Sequence, residues 1–449
     1  MAYSNLLPPL DEILEARELR WNKRREYSRL HTTLSMTLRL PHALRLSYPD
    51  IPKKVLPSLE GLGFSLKESR LSLDGPEYIF VSDERAPEAK RKVVDFEENH
   101  RLGGLLDLDV SDVSGAVSRS DLGLDRRKCL ICGSDAWACI SLKRHTLREI
   151  RSKIESLLCL ESSFITLSTE DSVASVISDL AGRAAEEELR LLFKPGLISP
   201  ISQGSHSDMD FDLMQGSLCV LKNYWRQCAS SGFKVKKEAF EALLPELRTF
   251  GLGAEAKMYR QTCGVNTYKG LIYLLGILCA SVSFVLKHQE PLEQVFERVH
   301  RLCANELLRN VGSISKAHER GCFLLGARGE TSLGFPTVRK ALNFYESELE
   351  KNEEYGNAEL NTLLLLMSLT NDSNIAGRSG EDGLERIKNR ASQVLSKGGL
   401  SSKEGTKDFK CLAEEVAQRR VSPGGSADLF ICVNFLHRIK KILRNRNNE

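Results

Sequence analysis

The spacing of apolar residues changes at about residue 160 and divides the chain into two regions with different predicted structure. In the first region, alternating apolar and polar residues predict a β-strand at residues 34–40, and residues 78–81 and 105–110 are two further strand candidates. Helical spacing in this region predicts helices at residues 11–30, 86–98 and 145–158. Beyond residue 160, strand patterns nearly disappear and helical spacing dominates. We therefore predict an α+β or α/β N-terminal domain over residues 1–160 and a larger all-α C-terminal domain over residues 161–449.

The predicted helices of the second region are separated by short segments rich in helix-breaking residues. Segments with helical spacing lie at residues 173–193, 212–231, 237–244, 270–286, 292–308, 338–351 and 360–369. If a helix began near His206, Asp208 and Asp212 would lie on one face of it. Gly- and Ser-rich segments predict loops at residues 313–335 and 371–384, and Ser422-Pro423-Gly424-Gly425 precedes a last predicted helix.

Composition and charge narrow the classes of function. A chain of 449 residues exceeds what one hydrophobic core usually holds. The formal net charge of +3 is too small for a nucleic-acid binder that relies on a global basic field. The longest apolar run, at residues 270–286, is short for a membrane span and is interrupted by polar residues, so we predict a buried core helix. We expect a cytoplasmic protein, because the first residues do not resemble a secretory signal and the 12 cysteines are not densely spaced.

An Asp-x-Asp pair lies on the third predicted strand. Asp107 and Asp109 are two residues apart, so strand alternation places both side chains on the same face. Two such carboxylates repel each other unless water or a cation separates them, and metal-dependent nucleotidyl transfer holds its Mg²⁺ in this way. The alternative interpretation is a solvated polar face on an edge strand.

A cysteine-rich segment follows the Asp-x-Asp pair. Cys129, Cys132, Cys139 and His145 have a spacing that is acceptable for a tetrahedral Cys₃His zinc site. The alternative is a group of reduced, buried cysteines with a histidine at the surface. Zn²⁺ therefore joins Mg²⁺ as a candidate cofactor.

Four blocks occur in order between residues 10 and 155. They are Glu15-Ala16-Arg17-Glu18-x-Arg20, Leu105 to Val110, Val117-Ser118-Arg119, and Arg127-x-Cys129-Leu130-x-Cys132 followed by Cys139. In this combination they resemble the holo-acyl-carrier synthase family that modifies citrate lyase, which is a family of phosphoribosyl-dephospho-coenzyme A transferases. The resemblance implies that Asp107 and Asp109 bind metal and act in catalysis, and that Arg119 is catalytic.

Further blocks punctuate the second region. They are Lys194-Pro195-Gly196-Leu197, residues 204–210, residues 251–258, Gly264-Val265-Asn266-Thr267-Tyr268-Lys269-Gly270, and Asn371-Asp372-Ser373-Asn374-Ile375 with Arg378 shortly after. In this order they resemble the triphosphoribosyl-dephospho-coenzyme A synthase family. The resemblance implies a reaction that joins C1′ of the ATP ribose to the 2′-hydroxyl of 3′-dephospho-coenzyme A and expels adenine.

Such a glycosyl transfer needs a base, an acid, and cations for the triphosphate. The candidate catalytic groups are His206, Asp208 and Glu255. The candidate substrate or phosphate contacts are Lys194, Gly264, Asn266, Lys269 and Arg378. The candidate Mg²⁺ ligands are Asp208, Glu255 and Asp372. Taken singly, each residue has an alternative role as a helix cap, a turn residue or a surface residue. The chain also departs from the family patterns at Gly104, Ser141, Ser199 and Tyr268.

Together the two resemblances imply a bifunctional transferase of citrate lyase prosthetic-group maturation. The C-terminal domain would make 2′-(5″-triphosphoribosyl)-3′-dephospho-coenzyme A, and the N-terminal domain would transfer it to a serine of the apo acyl carrier (gamma) subunit with release of diphosphate. The expected partners are ATP, 3′-dephospho-coenzyme A and this carrier subunit, with neither nucleic acid nor a membrane. Two alternatives are the malonate decarboxylase counterpart and a non-catalytic, zinc-stabilised scaffold that binds coenzyme A derivatives or an acyl carrier.

Overall fold

The computed structural model describes residues 6–158, 169–304, 326–351 and 356–447. These residues form two compact units, one on each side of the gap at 159–168. The first unit combines helices with an antiparallel sheet, and the second is helical. The predicted fold class is therefore confirmed, and the antiparallel pairing decides for α+β in the first unit.

Five strands form the sheet of the first unit. They are β1 (Thr32–Leu38), β2 (Ser65–Ser72), β3 (Gly75–Ser82), β4 (Leu106–Asp112) and β5 (Gly115–Val117). Their order across the sheet is β2-β3-β1-β4-β5, and every pairing is antiparallel. The helices are α1 (Leu10–Ser28), α2 (His42–Ser47), α3 (Leu56–Gly61), α4 (Ala86–Asn99), α5 (Ala136–Ser141) and α6 (Leu147–Leu158). Short 3₁₀ turns lie at Pro52–Val55, Gly103–Leu105 and Ser120–Leu122.

Helix α1 contacts the sheet mainly through ion pairs, and Ile13 is its one buried apolar residue. Arg17, Arg20 and Arg24 are three and four residues apart, so they share one side of the helix. The buried carboxylate of Asp74 accepts hydrogen bonds from Arg17 at 2.9 Å, Arg20 at 3.0 Å and Arg45 at 2.8 Å. Burial alone would raise the pKa of Asp74, but these guanidinium groups hold it below its ordinary value.

The second unit is built from eleven described helices. They are α7 (Glu170–Arg190), α8 (Phe211–Lys234), α9 (Leu244–Gln261), α10 (Lys269–Lys287), α11 (Gln294–Cys303), α12 (Gly326–Ser332), α13 (Pro336–Lys351), α14 (Asn357–Leu369), α15 (Ser373–Ser396), α16 (Lys403–Gln418) and α17 (Gly424–Asn447). Two 3₁₀ turns, Lys237–Ala242 and Gly399–Ser401, join neighbouring helices. Helix α10 packs against α7, α8, α9 and α17.

Helix α10 is the central helix of this unit. In the described part of the chain it is the one helix long and apolar enough to span a membrane, but 78% of its apolar window is buried within the protein. Its residues from Leu271 to Val285 are nearly all buried on every side. A helix that is apolar all round is buried in this way when other helices surround it.

The condition that a helix begins near His206 is not met. Helix α8 begins at Phe211, because Asp210 caps it by accepting a hydrogen bond from the backbone N–H of Leu213 at 2.9 Å. His206 and Asp208 therefore lie in the loop that precedes α8, and the predicted shared face of Asp208 and Asp212 does not form in that way.

The prediction of a loop at residues 371–384 is wrong, because most of these residues are helical. Helix α15 begins at Ser373, with Asp372 as its N-cap, and a non-helical residue interrupts it at Gly380, where φ is 73°. Buried Ile375 and Leu384 hold this Gly- and Ser-rich segment against its neighbours. In the segment at 313–335, residues up to 325 lie outside the described part of the chain and residues 326–332 are helical. Residues 237–242 form a 3₁₀ turn in place of the predicted helix.

Candidate active sites

The first unit has a cavity of about 450 Å³ between α1 and the sheet. Helix α1 and strands β1 and β4 contribute its lining residues, which are Arg17, Glu18, Arg20, Trp21, Arg24, Ser35, Thr37, Asp107 and Asp109. Asp107 and Asp109 face the same side of β4, as predicted, opposite Thr37 and Ser35 of β1. The fold thereby brings the Glu-Ala-Arg-Glu-x-Arg block to the Asp-x-Asp pair.

The two aspartates differ in how tightly they are paired. Arg127 donates a hydrogen bond of 2.6 Å to Asp107, whereas Arg24 lies 3.6 Å from Asp109. Both carboxylates remain about half exposed to the cavity. The site therefore offers two carboxylates with free coordination capacity beside arginines, which suits a cation and a polyphosphate together.

Arg119 lies outside the residues that line this cavity. It forms ion pairs with Glu97 at 2.9 Å and Glu98 at 2.6 Å. Glu97 is nearly buried and also accepts a hydrogen bond from Arg127 at 2.5 Å. Arg119 thus connects to Asp107 through Glu97 and Arg127, an arrangement that orients Arg127 and so positions Asp107.

The four residues predicted as zinc ligands come together. The ligand atoms of Cys129, Cys132, Cys139 and His145 all lie within 4.8 Å of one another. Cys139 is the buried residue of α5, and the N–H of Cys129 donates to the carbonyl oxygen of Ser134, which closes the turn between the first two cysteines and the helix. Three thiol groups and an imidazole at these distances can hold a tetrahedral metal ion.

The second unit has its own cavity, also of about 450 Å³. The start of α10, α12, the start of α15 and the start of α17 surround it, together with the loop that precedes α8. Several helices therefore direct their N-terminal ends at one space, which favours an anionic ligand.

Four carboxylates line this cavity, and they differ in their partners. Glu188 pairs with Lys194, Glu330 accepts from the N–H groups of α13, and Asp372 caps α15 and accepts from Ser426. Asp428 forms no hydrogen bond or ion pair with another residue of the described chain. Burial, followed by the charges of Asp372 and Glu188, raises the pKa of Asp428 well above its ordinary value.

Room for the Asp428 carboxylate exists because residue 270 is glycine. A Cβ atom at Gly270, in the first turn of α10, would collide with Oδ2 of Asp428. The absence of a side chain at residue 270 therefore allows the carboxylate of Asp428 to lie against the backbone of α10.

Buried donors at the cavity also lack partners. The hydroxyl of Tyr268 is buried and has no hydrogen-bond partner, and Nδ1 of His206 is likewise buried and without a hydrogen bond. The other ring nitrogen of His206, Nε2, lies 2.9 Å from the hydroxyl of Ser422, and Asp208 lies 3.8 Å from Nδ1. Because a buried polar group without a partner costs free energy, a bound ligand is the expected partner.

Five of the predicted residues line the cavity, and they are His206, Asn266, Lys269, Asp372 and Arg378. Asn266 also accepts a hydrogen bond from the backbone N–H of Lys269, the first residue of α10. Glu255 lies outside the lining but holds the ammonium group of Lys269 at 3.0 Å, which raises the pKa of Lys269.

The remaining predicted residues have other surroundings. Asp208 is 62% exposed and lies beside His206. Gly264 has a φ of 94° in the turn after α9, with open space around it. The ammonium group of Lys194 is buried 2.5 Å from the Glu188 carboxylate, and burial lowers the pKa of Lys194. Lys194 therefore forms a buried ion pair behind the cavity, and the structure gives it no free position for a triphosphate.

Two family models match the chain. Residues 174–447 match the family described as CitG, ATP:dephospho-CoA triphosphoribosyl transferase. Residues 9–159 match the family described as CitX, apo-citrate lyase phosphoribosyl-dephospho-CoA transferase. The chain belongs to the ATP:dephospho-CoA triphosphoribosyl transferase family. Because the citrate lyase transferase region precedes it, the chain is a bifunctional transferase of citrate lyase prosthetic-group maturation.

Curated relatives agree with this arrangement. "Protein CitXG" of Leuconostoc mesenteroides subsp. cremoris is 32% identical over 384 residues, which cover 82% of this chain and 81% of the relative. The 2-(5″-triphosphoribosyl)-3′-dephosphocoenzyme-A synthase of Escherichia fergusonii is 34% identical and covers 60% of this chain and 92% of its own length. A probable synthase of the same description from Salmonella typhi is 34% identical over 59% of this chain and 90% of its own length. The first of these relatives aligns across much of both regions.

Sequence reasoning missed several cavity residues of this triphosphoribosyl transferase, among them Glu188, Glu330, Ser422 and Asp428. Ser422 was interpreted only as part of a helix-breaking segment, and Asp428 was not singled out. Asp428 does carry a signal, because it is a charged residue in the otherwise apolar run from Ala427 to Val433. No local pattern indicates that this run meets the first turn of α10.

Proposed function

We propose that the second unit makes 2′-(5″-triphosphoribosyl)-3′-dephospho-coenzyme A and that the first unit attaches it to a serine of the apo acyl carrier (gamma) subunit of citrate lyase. The synthase domain would comprise residues 161–449 and the transferase domain residues 1–160. ATP, 3′-dephospho-coenzyme A and the carrier subunit are the proposed partners. The observation that carries the proposal is that each unit has its own cavity, bordered by carboxylates and cationic side chains.

In the synthase reaction, the bond from C1′ to the adenine nitrogen of ATP breaks and a bond from C1′ to the 2′-oxygen of dephospho-coenzyme A forms. The hydroxyl proton must leave, and adenine must gain a proton. Burial and the charge of Arg378 lower the pKa of His206, so its imidazole is neutral and able to accept a proton. We assign the proton transfer to His206, reached through Ser422, with Asp208 stabilising the imidazolium. The imidazolium then supplies the proton to adenine.

The triphosphate requires positive charge, and the cavity supplies part of it. Arg378 and Lys269 line the cavity, and Glu255 orients Lys269. The unpartnered Asp428 and the raised pKa of its carboxylate fit a site that receives a divalent cation. Asp428, with Asp372 beside it, would hold Mg²⁺, which would neutralise charge on the triphosphate. Asp208 and Glu255, expected from the sequence to bind Mg²⁺, instead serve His206 and Lys269 in this proposal.

In the transferase reaction, a bond forms between the carrier serine oxygen and phosphorus while the bond to diphosphate breaks and the serine proton is released to solvent. Asp107 and Asp109 would hold Mg²⁺, because both carboxylates keep free oxygen atoms facing the cavity. Arg17 and Arg24 would contact the phosphates. Arg119 would act as a positioning residue through Glu97 and Arg127.

The cysteine and histidine cluster supports a structural zinc site. Three sulfur ligands and one imidazole favour Zn²⁺ over Mg²⁺ or Ca²⁺, which prefer oxygen. Free thiols are typical of a reducing compartment, and the ten cysteines of the described residues are all free. Both observations support a cytoplasmic location.

The comparisons bear on the alternative functions. The description of the first region's family names citrate lyase, which favours it over malonate decarboxylase. A non-catalytic scaffold has no need of an unpartnered, half-buried carboxylate at Asp428 or of a neutral His206 in contact with Ser422.

The proposal is tested by incubating the protein with ATP, 3′-dephospho-coenzyme A and the apo acyl carrier. Adenine release reports the synthase reaction, and the intact mass of the carrier reports attachment. Asp428→Asn should lower adenine release by about 10²-fold or more while attachment of added precursor continues. Asp107→Asn should give the reverse pattern.

Each variant is the control for the other, since both are isosteric and each lies in a separate unit. Folding is checked by circular dichroism. If either variant, while folded, loses both activities, the division of the two reactions between the units is wrong. If the wild-type protein releases no adenine, the proposed function itself fails.

A further inference from the structure

Three bulky apolar side chains are exposed together in the first unit. Trp137, Ile140 and Leu142 are 70%, 69% and 68% exposed. Trp137 and Ile140 lie three residues apart on α5, so they share one face of the helix. We call these three residues the Trp137 surface. A cluster of exposed large apolar groups is typical of a site that binds a partner.

The Trp137 surface is held in place from behind. Cys139 lies on the opposite side of α5 and is buried among the thiols and imidazole of the Cys/His cluster. Asp135 caps the helix by accepting a hydrogen bond from the N–H of Ala138 at 2.9 Å. Since α5 has only six residues, these contacts, rather than its own helical propensity, fix the direction of its exposed face.

The segment that carries the surface is linked by hydrogen bonds to a carboxylate of the transferase cavity. The N–H of Ala136 donates to the backbone carbonyl of Arg127 at 3.0 Å, and the side chain of Arg127 donates to Asp107 at 2.6 Å. Leu130, in the same segment, lies against Gly104 in the 3₁₀ turn that precedes β4. Trp137 therefore directly follows Ala136, which is hydrogen-bonded to Arg127, the residue that binds Asp107.

The segment around the surface is strongly basic. Residues 126–148 contain six Lys or Arg residues and a single acidic residue, Asp135. Lys143 and Arg144 are exposed and directly follow Leu142. An apolar centre with a basic border complements a partner that presents apolar groups within an acidic surface.

We propose that the Trp137 surface docks the protein substrate of the first unit, through an apolar patch with acidic neighbours near the acceptor serine. This inference rests on the proposed transfer to the acyl carrier subunit. A protein acceptor must be held while its serine enters the cavity, and an exposed surface whose segment is hydrogen-bonded to Asp107 through Arg127 meets that need. Tryptophan and isoleucine at the centre, with basic residues at the edge, have the composition of an interface hot spot.

The test measures attachment of added precursor as a function of the concentration of apo acyl carrier. Trp137→Ala and Ile140→Ala should each raise KM for the carrier about tenfold or more with kcat little changed, because docking contributes equally to the ground and transition states. Lys143→Glu combined with Arg144→Glu should raise KM and flatten its salt dependence. Leu30→Ala is the matched control, since Leu30 is an 83% exposed leucine of the same unit outside the cavity lining, and it should leave KM unchanged.

Metal content and circular dichroism verify that the variants keep the Cys/His cluster and the fold, and adenine release verifies the second unit. An unchanged KM in folded Trp137→Ala and Ile140→Ala protein, when wild-type protein modifies the carrier normally, overturns the docking surface and leaves the proposed function intact. A change of oligomeric state in sedimentation without a change of KM would identify the surface as a contact between copies of this chain and would also overturn the inference.

Discussion

Replacing Gly270 with alanine is expected to disable the synthase reaction while the protein stays folded. The added Cβ would lie more than 1 Å closer to Oδ2 of Asp428 than ordinary van der Waals contact, which begins at 3.4 Å. The backbone of α10 is fixed by its burial among other helices, so the carboxylate must move instead. Asp428 would then leave the position from which it faces the cavity.

The size of the effect follows from this displacement. A shift of about 1 Å in a group that positions a substrate or metal ion costs roughly 10²-fold in rate. Alanine is favoured over glycine in a helix by up to about 1 kcal/mol, so the substitution itself need not lower the stability of α10. We therefore expect the kcat of Gly270→Ala for adenine release to fall by about 10²-fold with little change in the midpoint of thermal unfolding.

The assay is adenine release from ATP and 3′-dephospho-coenzyme A, with attachment of added precursor as an internal reference. Gly253→Ala is the matched control, because Gly253 lies within α9 and a Cβ there meets no atom within 4 Å. That variant should keep full activity. Attachment should be unaffected in both variants, since Asp107 and Asp109 lie in the other unit.

A double variant isolates the role of Asp428. If Gly270→Ala acts by displacing this carboxylate, adding it to Asp428→Asn should lower adenine release little further, because the two substitutions remove the same function. Folded Gly270→Ala protein with adenine release within about twofold of wild type would refute the reasoning. A fully multiplicative loss in the double variant would refute it as well.

Three further predictions concern metal binding, stability and pH. Purified protein should contain about one equivalent of zinc, chelation should unfold the first unit, and Cys132→Ser should lower the zinc content; metal-free protein with full attachment activity would contradict the zinc site. Lys194→Met should lower the free energy of unfolding measured in urea by about 3–5 kcal/mol, because it leaves Glu188 buried and unpaired, and Glu188→Leu with Lys194→Met should recover much of this loss. Folding raises the pKa of Asp428, so its ionised carboxylate lowers the stability of the protein at neutral pH. This loss of stability disappears as the pH falls through the folded-state pKa. Asp428→Asn should therefore raise Tm at neutral pH in the presence of a chelator, and the gain should shrink toward pH 4.

The elements predicted from the sequence were those with strong patterns of burial. Strands β1 and β4 have apolar residues at alternating positions, β3 carries a continuous apolar run at residues 78–81, and α10 is apolar throughout. Strand β2 was missed because it is an edge strand, in which exposed and half-buried residues alternate and few apolar groups mark the pattern. Helix α15 was missed because its glycines and serines outweigh the cap that Asp372 provides.

The candidate sites were predictable where the ligands are close in sequence. Asp107 with Asp109, and the Cys/His segment, follow from spacing along one strand or one turn. The place of Asp428 does not, because it depends on the contact between α17 and the first turn of α10, which are far apart along the chain. Conversely, the family resemblance implies a phosphate contact for Lys194, but its ammonium group is buried beside Glu188. That burial depends on tertiary packing, so no local pattern could indicate it.

Tyr268 stands where the family pattern has a histidine, and this difference bears on which residue of the second unit can transfer a proton. The family pattern carries a histidine here, which could serve as a base. The Tyr268 hydroxyl is buried at the cavity without a partner, and burial raises the pKa of Tyr268 well above its ordinary value. It therefore stays protonated at any working pH and can donate a hydrogen bond to a ligand oxygen but cannot act as a base. In the mechanism that we propose, proton transfer therefore falls to His206, whose pKa is lowered and whose Nε2 already contacts Ser422.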